Sequence, residues 1–285
     1  MRYDRLFTKL FCTPLLLEAG VRAGFERVLL AHMDGTPADL PTLAEDQPRF
    51  WGKKTDPVRA DKWADNILEI DGPTATIHVD GAIDKNLSAW DRMCFDACDL
   101  NDIDRALARV SSDNSIKNVL VAINSPGGTV SGVPETASRI AALAQKKNVF
   151  ALIDGMGCSA AYWLAAAADQ VLATPSSMTG SIGVYLALLD QSRWLEDAGM
   201  KVETIKDGKL KAAGASWKPL TDDERAHFQD MVNQIGASFR TAVTAKRPNV
   251  STETMQGQAF FGAAGLSANL VDAFVSDRAA AIAQF

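Results

Sequence analysis

Residues 74 to 173 alternate between short apolar runs and amphipathic stretches of helical period. Residues 74–79 alternate as a half-buried strand does, while 119–123 is a short β-branched run suited to a parallel strand covered on both faces. Between them, Ile103, Leu107 and Val110 recur at helical spacing within 102–110. The pattern continues with a helix over 134–144, a strand over 149–153, a helix over 159–168 and a strand over 170–173. Short strands joined by helical crossovers predict an α/β fold with parallel strands. Further on, Thr221, Asp222, Asp223 and Glu224 have the spacing of a capping box. It opens a long amphipathic helix striped by Phe228, Met231, Val232, Ile235, Phe239 and Val243.

The N-terminal quarter reads differently. Thr13 and Pro14 suit an N-cap and a first helical position, which predicts a helix from there to about residue 31. Residues 34–65 are broken by Pro37, Pro41, Pro48 and Pro57, with polar residues between, and read as an irregular connection. Trp51 and Trp63 suggest that parts of it pack on the body. The chain therefore divides into an N-terminal helical segment with a Pro-rich connection (1–70) and a main domain (71–285). Residues 10–17 are apolar behind Arg2, Arg5 and Lys9, which imitates a secretion signal. Asp4, Pro14 and Glu18 break that pattern, and no small-residue cleavage site follows. Nothing reaches the ~18 uninterrupted apolar residues of a membrane span, so a soluble, cytoplasmic protein with no membrane partner is expected.

Composition narrows the function classes. With 285 residues, 47% hydrophobic and 22% charged, the chain can bury a substantial core. A net charge of −6 with no basic run argues against nucleic acid. The four cysteines (Cys12, Cys94, Cys98, Cys158) make no disulfide framework and fit a reducing compartment. Cys94 and Cys98 could share a helix face, yet no second pair or nearby histidine completes a metal site, so no metal is expected.

Ligands of open α/β sheets bind beyond the carboxyl ends of the strands, and two glycine-rich sequences fall there. Asn124-Ser125-Pro126-Gly127-Gly128 follows the strand ending at Ile123 and leaves backbone N–H groups uncovered. It reads either as a plain strand-to-helix turn or as a donor aimed at a substrate carbonyl. Asp154-Gly155-Met156-Gly157-Cys158-Ser159 follows Ile153 and delivers Ser159 to a helix start, where free N–H groups stabilise a developing oxyanion. A serine there is equally a favoured N-cap. A serine nucleophile needs a base. His32, His78 and His227 lie at no glycine-rich strand end, and the G-x-S-x-G elbow is absent, which argues against a histidine triad. A neutral lysine can serve, and burial favours that form. Residues 206–212 offer Lys206, Lys209 and Lys211 around Gly208. Alone they read as a solvated basic loop, and spacing leaves all three open as the base.

Taken together, Asn124 to Gly128, Cys158-Ser159-Ala160, Thr179-Gly180-Ser181-Ile182-Gly183-Val184 and Gly208-x-x-Lys211 resemble the motif series of the signal peptide peptidase A family. The head-maturation (prohead) proteases of tailed phages belong to that group. Gly257, Phe261-Gly262-x-Ala264, Gly265-Leu266 and Leu270-Val271-Asp272 extend the resemblance, which covers about residues 74–274. It implies a Clp protease/crotonase-like α/β fold, here with an N-terminal helical extension, and a serine endopeptidase with a Ser–Lys dyad and no cofactor. By position, Ser159 would be the nucleophile, Lys211 the base and Ser181 the residue that orients the lysine. Gly128 and Ala160 would supply the oxyanion donors. Substrates would be proteins or peptides, with capsid scaffold and head proteins as the phage-type case, handled by a homo-oligomer. Membrane members of the family carry an anchor that this chain lacks, which favours the phage type or a soluble bacterial protease. A crotonase-type acyl-CoA enzyme and an inactive assembly homologue are the competing readings.

Overall fold

A computed structural model describes residues 15–17 (backbone only), 66–87 and 97–285. In chain order the strands are β1 (Leu15–Leu17), β2 (Leu68–Asp71), β3 (Thr74–Asp80), β4 (Ala82–Asp84), β5 (Ala97–Asp99), β6 (Asn118–Ser125), β7 (Gly127–Thr129), β8 (Asn148–Cys158), β9 (Gln170–Ala173), β10 (Met178–Gly180), β11 (Ala259–Phe261) and β12 (Ala273–Phe274). The helices are α1 (Leu100–Ser112), α2 (Val133–Ala144), α3 (Ala160–Ala166), α4 (Ser192–Asp197), α5 (Asp222–Lys246), α6 (Ala263–Ser267) and α7 (Arg278–Ile282).

The main sheet runs β11-β10-β8-β6-β3-β2, with β9 on β8 and β12 on β9. Its centre is parallel and in register: Val119 pairs with Ala75 on one side and Val149 on the other. Side chains on a strand alternate between faces, and β6 uses both. Val119, Val121 and Ile123 join the large core with Ile77, Ile103, Ile140 and Trp163. Leu120 joins Leu152, Leu172, Val275 and Ala281 in a second cluster on the other face, edged by the stacked rings of Phe150 and Phe285 at 4.4 Å. That two-sided burial explains why residues 119–123 read as one apolar run. A smaller sheet, β1-β7-β4-β5, stands beside the main one.

The helices begin where local chemistry allows. Asp99 caps α1, accepting from the Asn101 N–H at 2.9 Å. The capping box of α5 forms in both directions, with Glu224 accepting from the Thr221 N–H at 3.1 Å and donating its own N–H to Thr221 Oγ1 at 3.4 Å. Downstream on α5, Phe239 and Val243 are buried, and Phe239 stacks on Trp163 of α3 at 4.5 Å. Phe228, Met231, Val232 and Ile235, the upstream half of the same stripe, are only half-buried. Arg247, buried just past α5, is paired with Asp272, which also accepts from the Val171 N–H at 2.7 Å.

Two expectations change. Residues 15–17 form a strand antiparallel to β7, not the first turn of a helix opened by Thr13 and Pro14. Leucine is a good helix former, but pairing on an available strand edge overrides local propensity. The rest of that reading (18–31), the connection at 34–65 with Trp51 and Trp63, and Cys94 lie outside the described residues. Secondly, the strand expected to stop at Ile153 continues to Cys158. Gly155, at φ 104°, redirects it so that residues 150–153 pair with β9 and 156–158 with β10. Among the described residues no helix is long and apolar enough to cross a membrane.

Candidate active site

The carboxyl ends of β6 and β8 meet through side-chain bonds. A register irregularity separates the Ile123–Ile153 and Ser125–Gly157 pairs. There the Asn124 carboxamide accepts from the Met156 N–H at 3.0 Å. The buried Ser125 hydroxyl accepts from the Gly127 N–H at 3.2 Å. The chain does not pass straight from this turn to a helix, because β7 intervenes. A Cβ at Gly128 would sit 1.7 Å from the Ile83 carbonyl oxygen, so the close approach of β4 requires glycine there.

Ser159 stands between β8 and α3 with φ 57° and ψ −118°, a conformation that costs a non-glycine residue roughly 1–3 kcal/mol. It is 2% exposed. Its N–H donates to the Gly180 carbonyl at 2.8 Å, and its carbonyl accepts from the Trp163 N–H at 3.0 Å. The hydroxyl makes no capping bond to α3, so the ordinary structural use of a serine at this place is not in force. Ala160, buried, is the first residue of α3, where an N–H has no partner within the helix.

Ser181 lies immediately alongside. β10 runs parallel to β8 with Gly180 opposite Cys158, so Ser181 and Ser159 are each one step beyond the last paired residues. Ser181 is also at positive φ (51°), and its N–H donates to the Gln258 carbonyl at 2.8 Å. Beneath this ledge is a hydroxyl network. Ser177 Oγ donates to the Ile153 carbonyl at 2.7 Å, accepts from the Gly155 N–H at 3.2 Å and lies 2.7 Å from Thr174 Oγ1. Sequence reading missed Ser177 and the cross-link from Asn124. Thr174-Pro175-Ser176-Ser177 has the composition of a solvated loop, and nothing local marks Thr174 and Ser177 as buried.

The three lysines occupy a different setting. Lys206 Nζ donates to the Lys209 carbonyl at 2.7 Å, and Lys209 is paired with Asp223. Lys218 bonds both carboxylate oxygens of Glu224 at 2.6 Å. That bond, followed by the Thr221 N–H, holds the Glu224 carboxyl below its ordinary range. The loop is thus tied to the acidic start of α5. Lys211 is exposed; its N–H donates to the Gly208 carbonyl at 3.2 Å. Its side chain has no hydrogen bond or ion pair among the described residues. Ser159, Ser181 and Ala160 therefore share the strand ends, with Gly128 on β7, against which α3 packs. Lys211 is exposed on its loop, whereas Ser159 and Ser181 are buried. Of the described histidines, His227 is exposed on α5, and His78 is engaged by Glu69 at 3.3 Å and Arg278 at 3.1 Å. Burial pushes the His78 imidazole below its ordinary value.

A parallel sheet whose central strands end on a strained serine and its serine neighbour defines a Clp-protease-like α/β architecture, and the Clp protease profile matches residues 96–180. The profile of Peptidase family S49 matches residues 141–284, and the chain belongs to that family. It is 27% identical to the head-tail preconnector protein GP5 of Enterobacteria phage P21 over 271 residues, 93% of this chain and 54% of that protein. Identity is 33% with capsid assembly protease C of Escherichia phage lambda over 179 residues, 62% of this chain and 40% of the relative. With the chloroplastic serine protease SPPA of Arabidopsis thaliana it is 31% over 180 residues, 61% and 27% of the two chains. The chain spans about half, or less, of the length of these curated relatives.

Proposed function

We propose that the protein is a serine endopeptidase in which Ser159 is the nucleophile and Lys211 the general base. The observation that carries this reading is Ser159 itself: strained, buried, at a strand-to-helix turn, with a hydroxyl that caps nothing. Family membership supports peptide-bond hydrolysis as the chemistry.

In the proposed reaction, Ser159 Oγ bonds to the carbonyl carbon as its proton passes to neutral Lys211. The oxygen of the tetrahedral intermediate takes its hydrogen bonds from the Gly128 and Ala160 N–H groups. Collapse breaks the C–N bond, and the leaving amine takes the proton from Lys211. Water, deprotonated by Lys211, then splits the ester and returns Ser159. Ser181, beside Ser159 at the strand ends, orients the Lys211 amine. Lys211 is exposed on a single chain, and in this reading self-association covers its loop, because burial favours the neutral amine that a base requires. The exposed Trp194, Ile205 and Trp217 and the half-buried upstream stripe of α5 support such an assembly.

The substrates in this reading are extended segments of capsid scaffold and head proteins, supported by the similarity to the two phage proteins. A soluble bacterial peptidase of general range is the alternative within the family. The protein is co-expressed with candidate capsid scaffold and head proteins, and their masses are followed. Scaffold and capsid proteins shortened by the wild type but left whole by Ser159→Ala are the expected result. Full-length products in both cases would reject the head-maturation role. Failure of a fluorophosphonate to label Ser159 would reject the peptidase reading as a whole.

A further inference from the structure

We infer that β1 is a built-in occupant of the substrate groove: residues 15–17 fill the strand edge that an extended substrate needs, and must vacate it before a substrate can pair there. This rests on the peptidase reading above. β7 follows directly on the Asn124–Gly127 turn and carries Gly128, and α3, which begins after Ser159, packs against it. A peptide whose carbonyl is held by a backbone donor of β7 must run alongside that strand, and strand addition is the ordinary way an extended chain does so. β7 has two edges. One is taken by β4, with Ile83 opposite Gly128. The other is taken by β1, antiparallel, with Leu15 opposite Thr129, Leu16 opposite Gly128 and Leu17 opposite Gly127. With both in place no edge of β7 is open.

The occupant matches a substrate in the respects that the backbone defines. It is extended, it runs antiparallel to the strand carrying the proposed oxyanion donor, and its middle residue faces that donor's residue. A ladder this short is replaced by a substrate ladder of the same kind of hydrogen bond. β1 therefore acts as a competitor and not as a permanent block. A competitor of this type reduces the fraction of molecules ready to bind, which raises the apparent KM and leaves kcat unchanged.

The test uses the full chain with Leu16→Pro and, separately, Leu17→Pro. Successive residues of an antiparallel strand turn their N–H groups to opposite edges, so one of the two removes a ladder donor. In that variant, amide exchange at Gly127–Thr129 should accelerate. The KM for fluorescein-labelled casein should fall about tenfold, as expected if β1 leaves the edge in only about a tenth of wild-type molecules, with kcat and the thermal midpoint little changed. A synthetic peptide of residues 13–20 added in trans should restore protection of those amides and raise KM again. Unchanged exchange in both variants would overturn the inference. So would faster exchange with a KM that stays level or rises. If no variant cleaves casein, the peptidase reading is what fails. Exchange then still judges the strand: re-protection of Gly127–Thr129 by the peptide upholds the occupied edge, and its absence overturns it.

Discussion

The strand ends and the lysine loop are built on opposite terms. At the strand ends several groups around Ser159 are fixed by partners distant in sequence. Asn124 holds Met156, Ser177 holds Ile153 and Gly155, the Gly180 carbonyl holds the Ser159 N–H, and the Gln258 carbonyl holds Ser181. In the loop, Lys206 and Lys209 are tied to neighbours and to the start of α5, while Lys211 projects into solvent. One half of the proposed dyad is preorganised at a cost in backbone strain, and the other is exposed on a loop tied down by surface ion pairs of small individual worth.

The sharpest way to break that contrast is to remove each half in turn. Ser159→Ala should lower casein hydrolysis by a factor on the order of 10⁴ or more, with Lys211→Ala about as severe, since members of a catalytic unit do not act additively. Lys206→Ala and Lys209→Ala should cost less than about tenfold, because loss of an exposed ion pair alters little. Steady-state rates on the four variants decide it; equal losses for all three lysines would mean that the loop acts only through its charge.

Next in size is Gly128→Ala. The new Cβ would lie 1.7 Å from the Ile83 oxygen, so β7 must shift. A loss of about 1–3 kcal/mol in a denaturant melt is expected, with a rate loss near 10²-fold from a misplaced donor. Asn124→Ala should be milder. It leaves the Met156 N–H without its acceptor and should cost about 1–3 kcal/mol, read as an earlier urea midpoint at unchanged m-value.

The smallest effect belongs to the loop's anchor. Glu224 is ionised more readily in the folded chain than in the unfolded one. Its contribution is therefore present above the ordinary carboxylate value, about pH 4.3, and is lost as pH falls through its depressed folded value. Glu224→Gln should flatten the acid limb of thermal midpoint against pH and leave neutral-pH hydrolysis within a few-fold. An acid limb as steep as in the wild type would show that another carboxylate controls it.

What could be read in the residues alone follows the same division between local and distant causes. The capping box at Thr221–Glu224 depends on neighbours in sequence, and the strand at 119–123 shows its burial on both faces in its own unbroken apolar run; both were legible. Ser159 was legible as a serine at a helix start, but the choice between a cap and a spare hydroxyl depends on its ψ and on Gly180, which no local pattern reveals. Gly128 read as a turn glycine. The group that requires it, the Ile83 carbonyl, is 45 positions earlier and reaches it only through the pairing of β4 with β7. Lys211 was separated from Lys206 and Lys209 by resemblance alone. The leucines at 15–17 were misread because a good helix-forming run met a strand edge that local propensity cannot foresee.

The positive φ of Ser159 has a bearing on how this sequence drifts under selection. Glycine tolerates that backbone without penalty, so Ser159→Gly should stabilise the fold by up to about 1–3 kcal/mol, and Ser181→Gly should do so in the same direction. A population propagated for heat resistance, with no demand on hydrolysis, would be pulled toward those two substitutions among the first. Lineages in which the protein serves only as a scaffold should therefore carry glycine at these positions, and serine retained at both would mark a lineage still selected for its chemistry.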